Sequence, residues 1–498
     1  MKRIYSLLIV TSVFCWSCTD FLNESSPSNF TEKNYFKTPE QFLSTVNAMY
    51  ADLRMSASGD YGGNPYFMTD FATGLAGTRV GQNIHINKVR TLTNDSDNQY
   101  SLSWWTSSYR GIANANLVIK YLPDFTMDAN TKNRYLGEAY FFRAYYYFNL
   151  VRIFGNIPLI LTPIDGSSPD LYANQATPEQ VYDAIVKDLL EAEKTPLPWA
   201  ETSGRVTMTA AKSVLAQVYL TMAGYPLQKG QSHYTLAATK AKEVIDQAGR
   251  SLFASYADLR NMQRQNAGEH ILMIQYQTGV TTNPLQQLWL PFNLDISFYA
   301  TETGTVYALE EFINSYEPGD KRMEEKEFYY TNFTLNTNRN QTVEFGYYHI
   351  FKFFDMDAHL NTAQSSLNHP LLRYADVLLT YAEAQNESGS ANDVAYKCVN
   401  DIRARANLTP LSGLSQDEFR KAVWRERYHE LAFENKIWFD MARTRKVMVL
   451  ATGDFDDYVG HQFTYGTNLK LSQRELLFPI PTTEMNNNKN LKQNFGYD

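Results

Sequence analysis

The strongest constraint on this chain is a helical-hairpin pattern that occurs twice. Leu215-Ala216-x-x-Tyr219 is followed by Ala223-Gly224, then by Tyr234, Ala237, Ala241 and Ile245. Small residues let two helices cross closely, an aromatic fills the space beside them, and a glycine-bearing turn returns an antiparallel partner, which is the tetratricopeptide pattern. It recurs at Tyr374-Ala375, Leu378, Ala382-Glu383-Ala384 and Gly389, answered by Ala395, Val399 and Ile402. One instance would fit any helical hairpin. The recurrence, with a strongly aromatic helix over 131–154, implies units that stack to bury a continuous core.

The remaining signals extend that scaffold. Thr38-Pro39-Glu40 predicts a helix through about Arg54, Ile112, Ala115, Asn116 and Ile119 share one helical face, and Thr177-Pro178-Glu179 opens a further helix. Helices return over 370–445, and Leu477-Phe478-Pro479-Ile480-Pro481 is a proline-interrupted close. His270 to Tyr276 and Tyr348 to Lys352 read as short strands. The fold class expected is mostly α, as one domain over 38–498, with irregular excursions at about 56–100 and 276–370 that meet on one surface.

The N-terminus reads as an address. Met1-Lys2-Arg3 precedes an apolar run from Ile4 to Phe14, too short to span a bilayer, so residues 1–17 are expected to be a secretory signal. The segment ending Ser17-Cys18 resembles a bacterial lipobox, with Cys15 and Trp16 as departures from its usual residues. Cys18 would then be acylated, and 18–37, rich in Ser and Asn, would be a tether. An unlipidated secreted protein is the plainer alternative. Only Cys398 would remain beside the lipidated cysteine, so no internal disulfide is expected.

Hydrophobic residues at 44% and charged residues at 20% exclude wholesale disorder, and a net charge of -8 argues against a general nucleic-acid binder. Aromatics are abundant, with 34 Tyr, 29 Phe and 7 Trp, and serve either cores or stacking surfaces. No catalytic constellation stands up. His429-Glu430-x-x-Phe433 lacks the second histidine of a zincin helix and reads as buried scaffold. Gly74-x-x-Gly77-x-x-x-Gly81 has the wrong spacing for a dinucleotide loop. Asp95 and Asp97 begin like a calcium loop, but Tyr100 stands where its glycine belongs, so no metal and no cofactor is expected. A glycosidase would need a carboxylate pair, which 53 acids leave open.

Several segments together carry a resemblance. They are Glu138-Ala139-x-Phe141-x-Arg143-Ala144-x-x-Tyr147-Phe148 running on to Phe154-Gly155-x-Ile157-Pro158, Arg373-Tyr374-Ala375-Asp376-Val377-Leu378-Leu379, Ile402-Arg403-Ala404-Arg405-Ala406, and Glu426-Arg427-x-His429-Glu430-Leu431-Ala432-Phe433-Glu434. With Leu477 to Pro481, Asn494-x-Gly496-Tyr497 and the start Cys18-Thr19-Asp20-Phe21-Leu22, the chain resembles the SusD/RagB family of Bacteroidetes outer-membrane lipoproteins. The resemblance implies about four tetratricopeptide-like helical pairs carrying a loop-rich irregular half with few short strands. It implies a lipid anchor at the cell surface in the outer membrane, and partnership with a SusC-type TonB-dependent transporter on which the lipoprotein closes as a lid. It implies glycan capture without catalysis.

A sugar ring stacks its C–H face on aromatics and offers hydroxyls to polar side chains, so exposed loop rings are the candidates for glycan contact. Tyr140, Tyr145, Tyr146, Tyr147 and Phe148 lie on a packed helix and are assigned to the core. Trp104, Trp105, Tyr61, Tyr66, Trp289 and Tyr299 are the candidate rings, with Asp70, Arg79 and Asn83 as polar partners. Replacing Trp104, Trp105 and Trp289 together by alanine is then expected to lower glycan affinity with the fold intact. Two alternatives stand beside capture of a glycan: a lipid-anchored peptide-binding or scaffold component of the same kind of transporter, and a surface glycosidase.

Overall fold

Helix starts fall where the sequence supplies caps. In the computed structural model, which describes residues 35–57 and 62–497, Thr177 and Ser415 each form a reciprocal capping box, with Gln180 and Glu418. Asn98, Asp128 and Thr207 accept from the backbone N–H two or three residues on. The main helices are α1 (Pro39–Ala51), α2 (Ile84–Arg90), α3 (Gln99–Tyr121), α4 (Ala129–Phe154), α5 (Pro178–Glu193), α6 (Met208–Ala223), α7 (Gln231–Gln247), α8 (Tyr374–Ser388), α9 (Asp393–Arg405), α10 (Gln416–Glu430) and α11 (Ile437–Thr444). Contacts divide the chain into a segment ending at Ser44 and a body of Thr45–Asp498; α1 begins in the first and ends in the second. The expected signal and Cys18 lie outside the described residues.

Within the body, α3 to α9 form a series in which each helix packs on the next, and α10 lies against α8. The small-residue crossings seen in the sequence are the contacts: Leu215, Ala216 and Tyr219 of α6 are buried with Ala237 and Ala241 of α7, and Ala375, Leu378 and Ala382 of α8 with Ala395, Val399 and Ile402 of α9. The fold is mostly helical with few short strands.

The region 56–100, expected to be irregular, holds two short helices. Asn64 and Asn83 accept from the N–H groups of Tyr66 and Ile86, starting a 3-10 turn over Pro65–Ala72 and α2. Every residue of that 3-10 turn is buried. The second excursion supplies three of the four strands of an antiparallel sheet: β1 (Ala76–Gly77), from the first excursion, β3 (Tyr307–Ala308), β4 (Tyr329–Thr334) and β5 (Thr342–Ile350), in the order β1-β3-β5-β4. β2 (His270–Ile274) pairs with β6 (His369–Arg373), and β7 (Lys446–Val449) with β8 (Asp454–Asp457). The register of Ala76 with Ala308 and of Tyr307 with His349 joins the two excursions into one surface.

The charged residues of the sequence motifs form a buried ion lattice. Arg143 of α4 forks onto Asp188 of α5 at 2.7 and 2.8 Å. Arg427 of α10 bridges Asp376 of α8 at 3.0 Å and Asp440 of α11 at 2.7 Å, while Arg443 pairs with Glu383 at 2.6 Å. Arg373 contacts Glu269, Glu430 and Glu434, and Arg405 shares the first two. Buried carboxylates are tolerable only when paired in this way. His429 stacks on Tyr316 at 4.2 Å and lies 3.1 Å from Ser315 Oγ, so the His-Glu segment of α10 is part of the packed lattice.

Candidate functional site

Of the candidate residues named from sequence, one stands exposed, one lies outside the described residues and the rest are buried. Tyr61 is the one outside the described residues. Trp104 is 2% exposed, its indole N–H donates to the Pro65 carbonyl at 2.8 Å, and its ring stacks on Tyr66. Trp105 packs edge-on to Phe154. Trp289 is fully buried edge-on to Phe67, and Tyr299 is buried beside His359. Tyr66, Phe67, Trp104 and Trp289 thus form the aromatic core that seats the 3-10 turn, with His369 between them. Their ring faces are covered by one another, which corrects the expectation of exposed stacking faces. The triple alanine variant would empty that core and is now expected to compromise the fold.

The polar candidates divide in the same way. Asn83 caps α2 and donates to the Tyr100 hydroxyl at 3.1 Å. Asp70 is buried, accepts from the Asn435 N–H at 3.2 and 3.3 Å, and has its carboxyl raised by burial to about 8. It is therefore mostly protonated at neutral pH. Both are structural in this arrangement. Arg79 alone reaches the surface, donating from Nη1 to the Tyr347 hydroxyl at 2.8 Å with its guanidinium 5.3 Å from that ring's centroid.

Around Arg79 the structure assembles rings that sequence reading missed. Tyr307 of β3 and Tyr347 of β5 lie 4.5 Å apart at 44°, both half-buried. Arg90 lies 4.9 Å from the ring centroid of Tyr465, which stacks on Phe463 at 5.5 Å and donates its hydroxyl to the Arg90 carbonyl at 2.7 Å. Neither Arg79 nor Arg90 takes part in an ion pair among the described residues. Burial raises the phenol of Tyr307, against the opposing charges of Arg90 and Arg79, and takes that of Tyr465 to about 12, so both remain neutral donors. Phe292 flanks the group, 53% exposed, with its Cβ against Gly304.

The glycine spacing that failed as a nucleotide loop has its reason here. A Cβ on Gly77 would lie 2.2 Å from the Tyr307 ring, and one on Gly74 would lie 2.5 Å from Phe463. Bare backbone lets each ring pack directly against its glycine segment, which restricts ring orientation in advance of any ligand. The alternation of Phe345, Tyr347 and His349 along β5 was the available sequence signal, since residues two apart share a face. The strand expected from sequence begins at Tyr348, whereas β5 starts six residues earlier at Thr342 and so includes Phe345 and Tyr347.

The arrangement offers tilted aromatic faces, neutral phenols and two guanidinium groups without acid partners, which suits a ring with an apolar face and a hydroxyl rim. Asp95, considered for calcium, is bound by Lys88 at 2.5 Å, and no group of three or more metal-ligating side chains occurs among the described residues. No helix among the described residues is long and apolar enough to cross a membrane.

Comparison with known proteins places the chain. Residues 254–497 match the model of the SusD family, and residues 20–220 match one described as starch-binding associating with outer membrane. A SusD superfamily protein from Parabacteroides distasonis is 38% identical with a TM-score of 0.89, covering 94% of this chain and 100% of that one. The chain belongs to the SusD family. SusD-like protein P2 of Formosa agariphila is 29% identical over 538 aligned residues, covering 99% of both chains. A laminarin-binding SusD-like protein is 25% identical with a TM-score of 0.73, covering 93% of this chain and 100% of that one.

Proposed function

We propose that this protein captures oligosaccharide or polysaccharide at the cell surface, without cleaving it, and delivers it to a SusC-type TonB-dependent transporter. The observation that carries the reading is the surface formed by exposed Arg79 and half-buried Tyr347 and Tyr307, extended by Arg90 and Tyr465, on a chain whose relatives include a laminarin-binding protein. Sugar C–H faces stack on the two tyrosines, and Arg79 and Arg90 donate to the hydroxyls. Acylation at Cys18 holds the protein to the outer membrane, where the transporter partner is met.

The test is calorimetric titration with a panel of β-glucans, α-glucans, xylans and mannans, with reducing sugar assayed in parallel. Binding to one class, weakened at least about tenfold in Tyr347→Ala and Arg79→Ala without release of sugar, is the expected result. Binding that survives both substitutions refutes the location, and sugar release refutes the non-catalytic reading. Co-purification with a transporter barrel in the absence of any glycan binding would favour a peptide cargo.

A further inference from the structure

A cleft of about 690 Å3 opens where α4, α6 and α11 end and α5 begins, with the C-terminal segment along one side. Its size falls among small-molecule sites, and it shares no residue with the Arg79–Tyr347 surface. Two arginines on its wall have no acid to pair with among the described residues. Arg152 lies between the rings of Phe148 and Phe439, 3.7 and 3.8 Å from their centroids. Its Nε donates to the Phe148 carbonyl at 3.0 Å and one Nη2 hydrogen goes to Asn149 Oδ1 at 2.6 Å, which leaves Nη1 uncommitted. The acids whose charge reaches it, Asp440 and Asp376, are already held by Arg427, Arg443 and Lys436. Burial lowers Arg152 to about 10, as expected of a cation without a close counter-charge.

Arg445 is placed by an unusual backbone. It follows α11 at φ +57°, a left-handed position at which glycine is the common residue. Its guanidinium sits 4.8 Å from the centroid of Tyr225, and Nη1 donates to the Ala442 carbonyl at 2.7 Å. The other charges of the cleft are satisfied: Arg443 by Glu383 and Asp440, and the exposed Asp457 by Lys446 at 2.7 Å. The cleft therefore carries an uncompensated positive charge inside a chain of net charge -8. Beside it stand the half-exposed ring of Tyr225 and the amides of Asn156 and Gln473.

We propose that this cleft is a second saccharide site, selective for an anionic sugar unit. The acid group, a uronate carboxylate or a sulfate ester, is taken by Arg152 and Arg445, whose planar forks match such oxygens. The sugar ring lies against Tyr225, and the amides meet its hydroxyls.

The experiment titrates the full-length chain, purified in detergent, with digalacturonate, a sulfated disaccharide, neutral cellobiose and the dipeptide Gly-Phe. The expected result is binding of one acidic disaccharide at least about tenfold tighter than cellobiose, weakening as salt is raised. Arg445→Gly suits the left-handed backbone, so it should keep its melting temperature while losing at least about tenfold in that affinity. Arg152→Lys, which retains the charge and loses the fork, carries the test should the glycine variant misfold. Tyr347→Ala should leave acidic-sugar binding unchanged, which separates this site from the other surface. The disaccharide that binds identifies the acid group. The proposal is overturned by failure of both acidic sugars to bind, by equal affinity in the arginine variants, or by preference for the dipeptide.

Discussion

Replacing Arg373 by methionine tests the ion lattice at its centre. The guanidinium is fully buried and spends its donors on Glu269, Glu430 and Glu434, the last at 2.5 and 2.8 Å. Methionine fills similar space and carries no charge. Glu269 and Glu430 are then left to share Arg405 while Glu434 keeps Lys352, so two cations face three acids and one buried negative charge is left uncompensated. Breaking a buried pair from one side costs about 3–5 kcal/mol, a large part of the roughly 5–15 kcal/mol typical of a folded domain. The pH dependence carries the sharper test. Burial would raise the Glu434 carboxyl, yet Arg373 and then Lys352 outweigh that and hold it at about 2. Its stabilising contribution in the wild type is thus present above the ordinary glutamate range and is lost as pH falls toward 2. In Arg373→Met burial prevails, protonation relieves the stranded charge, and the variant's deficit should shrink between pH 7 and pH 4.5. Urea unfolding midpoints at the two pH values measure this. A deficit below about 1 kcal/mol at pH 7, or one that grows on acidification, would refute the reasoning.

Other consequences follow from burial and close approach. Asp70→Asn should equal the wild type near pH 4 and exceed it by a few kcal/mol, roughly, at pH 8, because a carboxyl raised to about 8 contributes stability that is lost as pH climbs from 3.8; thermal melts across that range decide it. Trp104→Ala should destabilise by about 3–5 kcal/mol in urea titrations, whereas an exposed stacking ring would cost little. Gly77→Ala pushes a methyl against the Tyr307 ring and should weaken glycan binding with a loss of about 1–3 kcal/mol in stability, and an unaltered affinity would show that ring orientation is irrelevant. Cys18→Ala should shift the protein from the membrane fraction to the soluble fraction and abolish labelling with a palmitate analogue; persistence of the label would exclude Cys18 as the acylated residue.

The helical scaffold was legible because its signals are local. The capping residue Thr177 and the small residues at 215–241 and 375–402 act within one or two turns, so sequence spacing reports them directly. The excursion at 56–100 misled because glycines and polar runs suggested a long loop, while Asn64 and Asn83 were starting short helices there. The candidate site was the least legible part. Trp104, Trp289 and Tyr66 have the composition of a stacking surface, and Tyr307 and Tyr347 have the same chemistry, yet only the latter pair is left half-buried.

The family resemblance and the main helical pairs were therefore determined by sequence alone, since each rests on residues close together in the chain. Tertiary structure decided which rings are covered. Phe67 finds Trp289 across more than two hundred residues, and the pairing of β1 with β3 and β3 with β5 brings Arg79, Tyr307 and Tyr347 together. Exposure is a property of what packs on a side chain, and that partner is set by long-range closure of the sheet, which no local pattern encodes.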